Sequence, residues 1–339
     1  MRRAIFLLLS VLLLASCKPG RKVSTSFYYW KTVYRQNDTE STWLQRLHTR
    51  KLYVRMMDVD MGESGADPVP VSPIIFQNHI PDTITMVPVV FIVNSVLYNI
   101  GKTKLDELAI KMLHFVDAKV EQAGKHSYAE LQIDCDWTAQ TRGGYFYLLR
   151  QIKAHLHHQT LSVTLRLHQV KNQRESGIPP ADRVMLMCYN MGNLRKYGSQ
   201  NSIIEPNELK KYLGSNLSTY PLNIDVGLPL FSWAVVFRKK AYAGIARRIN
   251  FANLSQRNSF EPKGNNLYTA KTDLPQYGLN KDDVVRWEQA SADDLNEVAG
   301  YLSRYLKTDT LNLIWYHLDE SVLKNYTYDE LEKTAYLLY

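Results

Sequence analysis

The segment Gln132-Ile133-Asp134-Cys135-Asp136-Trp137-Thr138 sets two carboxylates two residues apart among apolar neighbours. On an extended strand, residues two apart share a face. Gln132, Asp134, Asp136 and Thr138 therefore project to one side, and Ile133, Cys135 and Trp137 to the other. Like charges one strand repeat apart resist full ionisation, so at least one of the pair holds its proton towards neutral pH. That property suits a general acid, with Asp136 as donor and Asp134 as the group that tunes it. The same two residues could instead bond to neighbouring strands and only organise a sheet.

Other strand ends offer polar and aromatic groups that fit a substrate. Arg55-Met56-Met57-Asp58-Val59-Asp60 places Asp58 and Asp60 at the end of one strand, either as substrate ligands or as caps of the next loop. A later strand runs into His168, a candidate wall residue of the same site. Trp30, Trp137, Tyr189, Trp233, Trp315 and Tyr316 also fall at strand ends. Sugar rings have apolar C–H faces that stack on such rings, while carboxylates accept from their hydroxyls. Trp30, Trp233 and Trp315 are the expected stacking residues, the last two as the floor, while about half of the six aromatics are expected to pack as core between strands and helices. His155, His157 and His158 end a helix, where they suit its dipole. No spacing of His, Cys and carboxylates matches a metal site, and no cofactor is expected.

These residues need a scaffold that gathers strand ends. Apolar, β-branched or aromatic runs occur near 26–34, 51–59, 84–93, 129–137, 161–168, 183–189, 222–237 and 311–317. Between them lie helical patterns at 41–49, 103–122, 143–157, 205–214, 239–249 and 291–306, with a capping box of Thr327 and Glu330 opening a last helix. In 103–122, Leu105, Leu108, Met112, Val116 and Val120 share a face behind a Thr103 and Asp106 capping pair. Alternating strands and helices require parallel pairing, and eight such units predict a single-domain (β/α)₈ TIM barrel over 26–339. Residues 169–182 are too polar and Pro-rich for a good helix, which keeps an open doubly wound sheet as the alternative. The polar stretch 250–286 is expected as a long loop, either a lid or a surface excursion. In a TIM barrel the site lies at the C-terminal ends of the strands, where the residues above fall.

Ile133-Asp134-Cys135-Asp136-Trp137 resembles the D-x-x-D-x-D-x-E signature of the chitinase-like (family 18) glycoside hydrolases, which are also (β/α)₈ barrels. Asp134 and Asp136 match the second and third Asp, Leu131 replaces the first, and Thr138 stands where the family has its catalytic Glu. Met187-Cys188-Tyr189-Asn190 is similar to the family's M-x-Y-D, with Asn190 in place of Asp. Tyr28-Tyr29-Trp30 is loosely similar to its Y-x-x-x-W. The strand Gln132-x-Asp134-x-Asp136 also resembles that of a family of bacterial barrel lipoproteins. The resemblance implies that Tyr189 and Asn190 orient an N-acetylated sugar. Threonine cannot protonate a leaving oxygen at a useful rate. Either another carboxylate acts as acid, namely Asp136, Asp58, Asp60, Glu205 or Asp225, or the barrel binds a saccharide without cleaving it.

The N-terminus places this barrel in a compartment. Arg2 and Arg3 precede apolar runs 4–9 and 11–14, too short to remain in a bilayer, and then Leu14-Ala15-Ser16-Cys17. This resembles the bacterial lipobox, so 1–16 is expected to be a signal peptide, Cys17 the lipidated residue and 17–25 the tether. Acyl chains on Cys17 would hold the protein on a membrane. Lys18, Arg21 and Lys22 follow without acids, which favours the periplasmic face of the outer membrane. Without Arg2 and Arg3 the chain has 39 basic and 33 acidic residues in no block, so nucleic acid is not an expected partner. Cys135 and Cys188 are expected as buried free thiols. The expected partners are the membrane, through the lipid, and an oligosaccharide or polysaccharide.

Overall fold

The computed structural model describes residues 20–339 apart from Gln36, Ser64 and Ala66; the expected signal peptide 1–16 and Cys17 lie outside the described residues. Eight parallel strands form a closed ring: β1 (Lys22–Tyr29), β2 (Lys51–Met61), β3 (Thr85–Ile92), β4 (Glu130–Cys135), β5 (Thr160–Arg166), β6 (Arg183–Met187), β7 (Asn223–Pro229) and β8 (Thr310–Tyr316). Each pairs with the next in sequence, and β1 pairs with both β2 and β8, which closes the barrel. The chain is thus a (β/α)₈-type barrel rather than an open sheet.

Helices cover the outside. They are α1 (Asp38–Arg46), α2 (Lys102–Gln122), α3 (Arg142–His155), α4 (Leu167–Lys171), α5 (Pro206–Leu213), α6 (Ala292–Tyr305) and α7 (Tyr328–Tyr336). Leu105, Leu108, Met112, Val116 and Val120 bury one face of α2. Its cap differs from expectation: Gly101 occupies the N-cap with no side-chain bond, and Asp106 accepts instead from the Tyr147 hydroxyl at 2.9 Å. The Thr327 and Glu330 box does open α7. The weak segment 169–182 supplies only α4 and a single turn at Gln173–Ser176. No helix joins β2 to β3 among the described residues; Pro68–Val71 folds back antiparallel on β2 instead.

The connection from β7 to β8 departs most from the sequence reading. The run 222–237 breaks at Leu230 into β7 and a second strand, Ser232–Arg238. The expected helix 239–249 is instead the return strand Ala241–Ile245, joined by Lys239 and Lys240 at φ 49° and 65°. Positive φ at both central residues is the geometry of a tight hairpin turn. The expected loop 250–286 continues the same antiparallel sheet through Phe260–Gly264, Leu267–Ala270 and Val284–Gln289. Phe260, Val236, Val285 and Leu254 form its own small core. Its polarity reflects exposure of the outer strands rather than lack of structure.

A buried pair joins this sheet to the loop after β6. Arg286 and Glu288 are fully buried and bond at 2.5 Å. The Arg286 guanidinium also donates to the carbonyls of Leu194 (3.0 Å), Lys196 (2.7 Å) and Gly198 (3.1 Å) in the loop after β6. Glu288 accepts from the Ser202 amide at 2.7 Å and the Trp233 indole at 2.9 Å. Buried backbone groups that lack a helix or sheet partner thus find side-chain ones.

Alternation sends Leu311, Leu313 and Trp315 of β8 out towards the helices and leaves Asn312, Ile314 and Tyr316 inside. The lower lumen is polar. Ser162 donates to Glu130 at 2.7 Å, Tyr53 to Glu130 at 3.0 Å, Asn312 to Tyr53 at 3.1 Å and Ser26 to Asn312 at 2.7 Å. Asp225 accepts two bonds from Arg183, at 2.7 and 2.6 Å, and the Asn312 amide at 2.8 Å. Seven of the eight strands contribute to this layer, and β3 brings Val87 and Val89. Removing one member of such a pair strands a buried charge, typically at about 3 kcal/mol or more. Arg183→Met should therefore lower the unfolding free energy measured by urea denaturation by that order, and Arg183→Met with Asp225→Asn should recover most of it. An undiminished loss in the double variant would show that the pair is not what sets the cost.

Candidate functional site

The mouth of the barrel inherits its chemistry from the ladder on β4. Glu130, Gln132 and Asp134 point inward in succession, each against a polar partner from β5, and Asp136 continues the series just past the strand. Gln132 donates to Ser162 at 3.4 Å and accepts from the Tyr28 hydroxyl. Asp134 accepts from the Thr164 hydroxyl at 2.6 Å. Asp136 forms an ion pair with Arg166 at 2.5 Å, with both side chains partly exposed. The expected stacking of two carboxylates below the mouth is present, but each has its own β5 partner.

Burial pushes the Asp134 carboxyl up to about 7, with smaller pushes from Asp136 and Asp58 and an opposing pull from the Thr164 hydrogen bond and Arg166. Asp136 is also raised by burial, held back by Arg166 and His168. Arg166 was not singled out from the sequence. Its signal was available, because it shares parity with Ser162 and Thr164 on β5. Thr138 is exposed beyond the strand, and its amide and hydroxyl lie 3.0 and 3.4 Å from the Thr141 hydroxyl at the start of α3. The position that matches the family's acid thus serves a helix start.

The strand ends around the other side are aromatic. Trp30 meets Tyr28 edge-on at 5.6 Å and Tyr316 at 5.6 Å. Tyr316 lies 5.1 Å from Tyr189 and 5.8 Å from Phe231, and Phe231 lies 5.2 Å from Trp233. These rings form a continuous wall from β1 through β8 to the inserted sheet. Burial, followed by Tyr316 and Asp134, raises the Tyr189 hydroxyl well above its ordinary range. A small pocket of about 170 Å³ opens between β5 and β6, lined by Arg166, His168, Met187, Tyr189, Asn190 and Tyr212. Ligand pockets usually span about 300–1,000 Å³, so this one has room for a single substituent while the rest of a ligand lies on the open wall.

Other expected site residues have other places. Trp315 is fully buried among the helix-facing residues, one position out of phase with the lumen, and cannot form a stacking floor; its neighbour Tyr316 faces inward. Trp137, also buried outward, donates to the Ser176 carbonyl at 3.1 Å. Asp225 sits at the opposite end of the barrel, in the lower layer. Glu205 caps α5 by accepting from the Asn207 amide. Asp58 is at the mouth but is held by Arg55, at 2.7 and 2.5 Å, because a bulge between Arg55 and Met57 turns both inward. Asp60 accepts from the Met61 amide at the rim. His168 lies at the rim, where partial desolvation of its ring, then Arg166 nearby, lowers its proton affinity against an opposing pull from Asp136. Asn190 takes a left-handed backbone at φ 54°, which asparagine tolerates, and its side chain is exposed beside the pocket. Trp233 lies on the inserted sheet and reaches the wall through Phe231. Among the described residues, no group of three His, Cys, Asp or Glu is placed to hold a metal ion.

The closed parallel barrel is a fold shared with solved structures. The spore cortex-lytic enzyme SleL of Bacillus cereus superposes with TM-score 0.56 at 14% identity, covering 94% of this chain and 76% of that one. SleL of Bacillus megaterium gives 0.50 at 10% identity over 89% and 72%, and a chitinase of Bacteroides thetaiotaomicron 0.50 at 8% over 94% and 95%. At these identities the likeness is one of fold. No protein-family model matches the chain, and no curated protein does.

The raised Asp134 carboxyl has a signed consequence. Its proton is held more tightly in the folded protein than in the unfolded chain, so its contribution to stability is full below the ordinary carboxylate range and is lost as pH rises through about 7. Asp134→Asn, which can still accept from Thr164, should raise the melting temperature by a few degrees at pH 8 and not at pH 4. An equal change at both pH values would contradict the assignment.

Proposed function

We propose that the protein is a lipid-anchored envelope protein whose barrel mouth holds an oligosaccharide of N-acetylated sugars. One observation carries this reading: the wall of Trp30, Tyr28, Tyr316, Tyr189, Phe231 and Trp233 is opposed by Asp134, Asp136, Asp58 and two guanidinium groups. Aromatic faces take the C–H side of a sugar ring, and the opposing groups take its hydroxyls and substituents. The chitinase and cortex-lytic neighbours are consistent with such a ligand. Holding is favoured over cleaving because Thr138 replaces the donor and Asp136 is engaged by Arg166. One feature supports slow cleavage as the second reading: Asp134, pushed to about 7, is a carboxyl that carries a proton near neutral pH.

The test is a panel of chitin and peptidoglycan fragments read by thermal shift and product analysis together. A fragment should stabilise the protein without being cleaved, and Trp30→Ala should weaken its binding by about tenfold, the equivalent of about 1.4 kcal/mol. Product that vanishes in Asp134→Asn would establish the hydrolase instead. Binding unaffected by Trp30→Ala would remove the wall from the site.

The anchor is tested separately, and the periplasmic face of the outer membrane is the proposed location. Fatty-acid labelling of the mature protein should be abolished by Cys17→Ser, with the barrel still folded. Label retained in that variant would exclude Cys17 as the attachment point.

A further inference from the structure

The opposite end of the barrel is as specific in composition as the mouth. Within the segment 17–25 expected as a tether, the Arg21 guanidinium is already held by the barrel, donating to four backbone carbonyls: Ser303 (3.2 Å), Leu306 (2.6 Å), Thr308 (2.9 Å) and Leu338 (2.6 Å). These lie at the end of α6, in the loop into β8 and just past α7, so one side chain pins the start of the chain to the N-terminal face of the barrel. Beside it is a groove of about 580 Å³ between the starts of β1 and β2 and the helix α7, lined in part by His48, Arg50, Lys51, Tyr336 and Tyr339. Tyr336 and Tyr339 are 74% and 59% exposed, with ring centroids 5.8 Å apart in a tilted pair. Lys22, Arg50 and Lys307 are exposed around them, with Glu332 and Asp309 as the nearby acids.

We infer that this N-terminal face docks on the surface of an anionic lipid bilayer, with the mouth of the barrel directed away from it. The inference rests on the lipid anchor proposed above. Four residue steps separate Cys17 from Arg21, and each spans at most about 3.6 Å. The clamp therefore lies within roughly 14 Å of the acylated residue, a leash too short for the barrel to turn its other end to the membrane. Exposed tyrosines are suited to the headgroup level, where a ring meets apolar chains and its hydroxyl stays wet. Basic residues beside them are drawn to anionic lipid within a Debye length. Strands of seven or eight residues at about 3.3 Å per residue, tilted by about 36° to the barrel axis, lift the mouth by roughly 20 Å more. The site then faces a polymer beyond the bilayer rather than a lipid headgroup.

The experiment uses the full lipidated chain reconstituted in vesicles of phosphatidylethanolamine and phosphatidylglycerol. A nitroxide is attached at Glu332→Cys on the docking face or at Ser199→Cys beside the mouth. On reconstitution, the first label should lose at least half of its collision rate with a water-soluble nickel complex, and the second should be unchanged. Adding Tyr336→Ser and Arg50→Glu should restore nickel access at 332 while the chain still floats with the vesicles. Equal nickel access at both labels on floating protein would overturn the docking inference. A chain that fails to float would instead refute the anchor reading, so the two failures are distinguishable. Shielding at 332 that persists in the double substitution would show that these residues do not make the surface.

Discussion

A closed ring of parallel strands has an inside that must be filled, and this barrel fills its lower half with hydrogen-bonded polar groups rather than aliphatic layers. Glu130 and Asp225 are the hubs: β2 and β5 donate to the first, β6 and β8 to the second, and Asn312 links the set through Tyr53 and Ser26. Such a layer tolerates few alternatives, since a slip of one residue in any strand would turn its partner out of the lumen. The register fixed at the bottom then sets which residues reach the top. Given Glu130 inward, Asp134 and Asp136 must also be inward, and given Asn312 inward, so must Tyr316.

The same constraint divides the mouth into two halves. Polar pairs continue up β4 and β5, where Thr164 and Arg166 answer Asp134 and Asp136. On β1, β6 and β8 the inward series ends in Tyr28, Tyr189 and Tyr316. The inserted sheet extends the aromatic half through Phe231 and Trp233 and is held in place by Arg286 and Glu288. Burial raises Asp134, and the charges of Asp136 and Asp58 at the mouth add to it.

Much of this was legible in the chain. The eight runs gave the strand count, and two-residue alternation placed Asp134 and Asp136 on one face. Alternation also held the answer for β8, where the polar Asn312 marks the inward phase; ring size drew attention to Trp315, but parity selects Tyr316. The inserted sheet was hidden for a different reason. Its strands are short and half exposed, so 250–286 has no apolar period, and the turn at Lys239-Lys240 has none of the usual Gly or Asn signal. Asp225 and Glu205 carry the same side chains as catalytic acids, and only their positions along the barrel axis and at a helix start separate them from the mouth.

The Arg286 clamp has a bearing on motion. The carbonyls of Leu194, Lys196 and Gly198 end on a guanidinium that belongs to the inserted sheet, so this loop cannot lift without leaving a buried charge unsatisfied. Loop and sheet therefore share one opening free energy and exchange their amide hydrogens as a single cooperative unit, distinct from the ring of parallel strands beneath. One flank of the mouth is in effect a separate foldon, whose local unfolding removes Phe231 and Trp233 from the wall together and leaves the β4 carboxylates untouched.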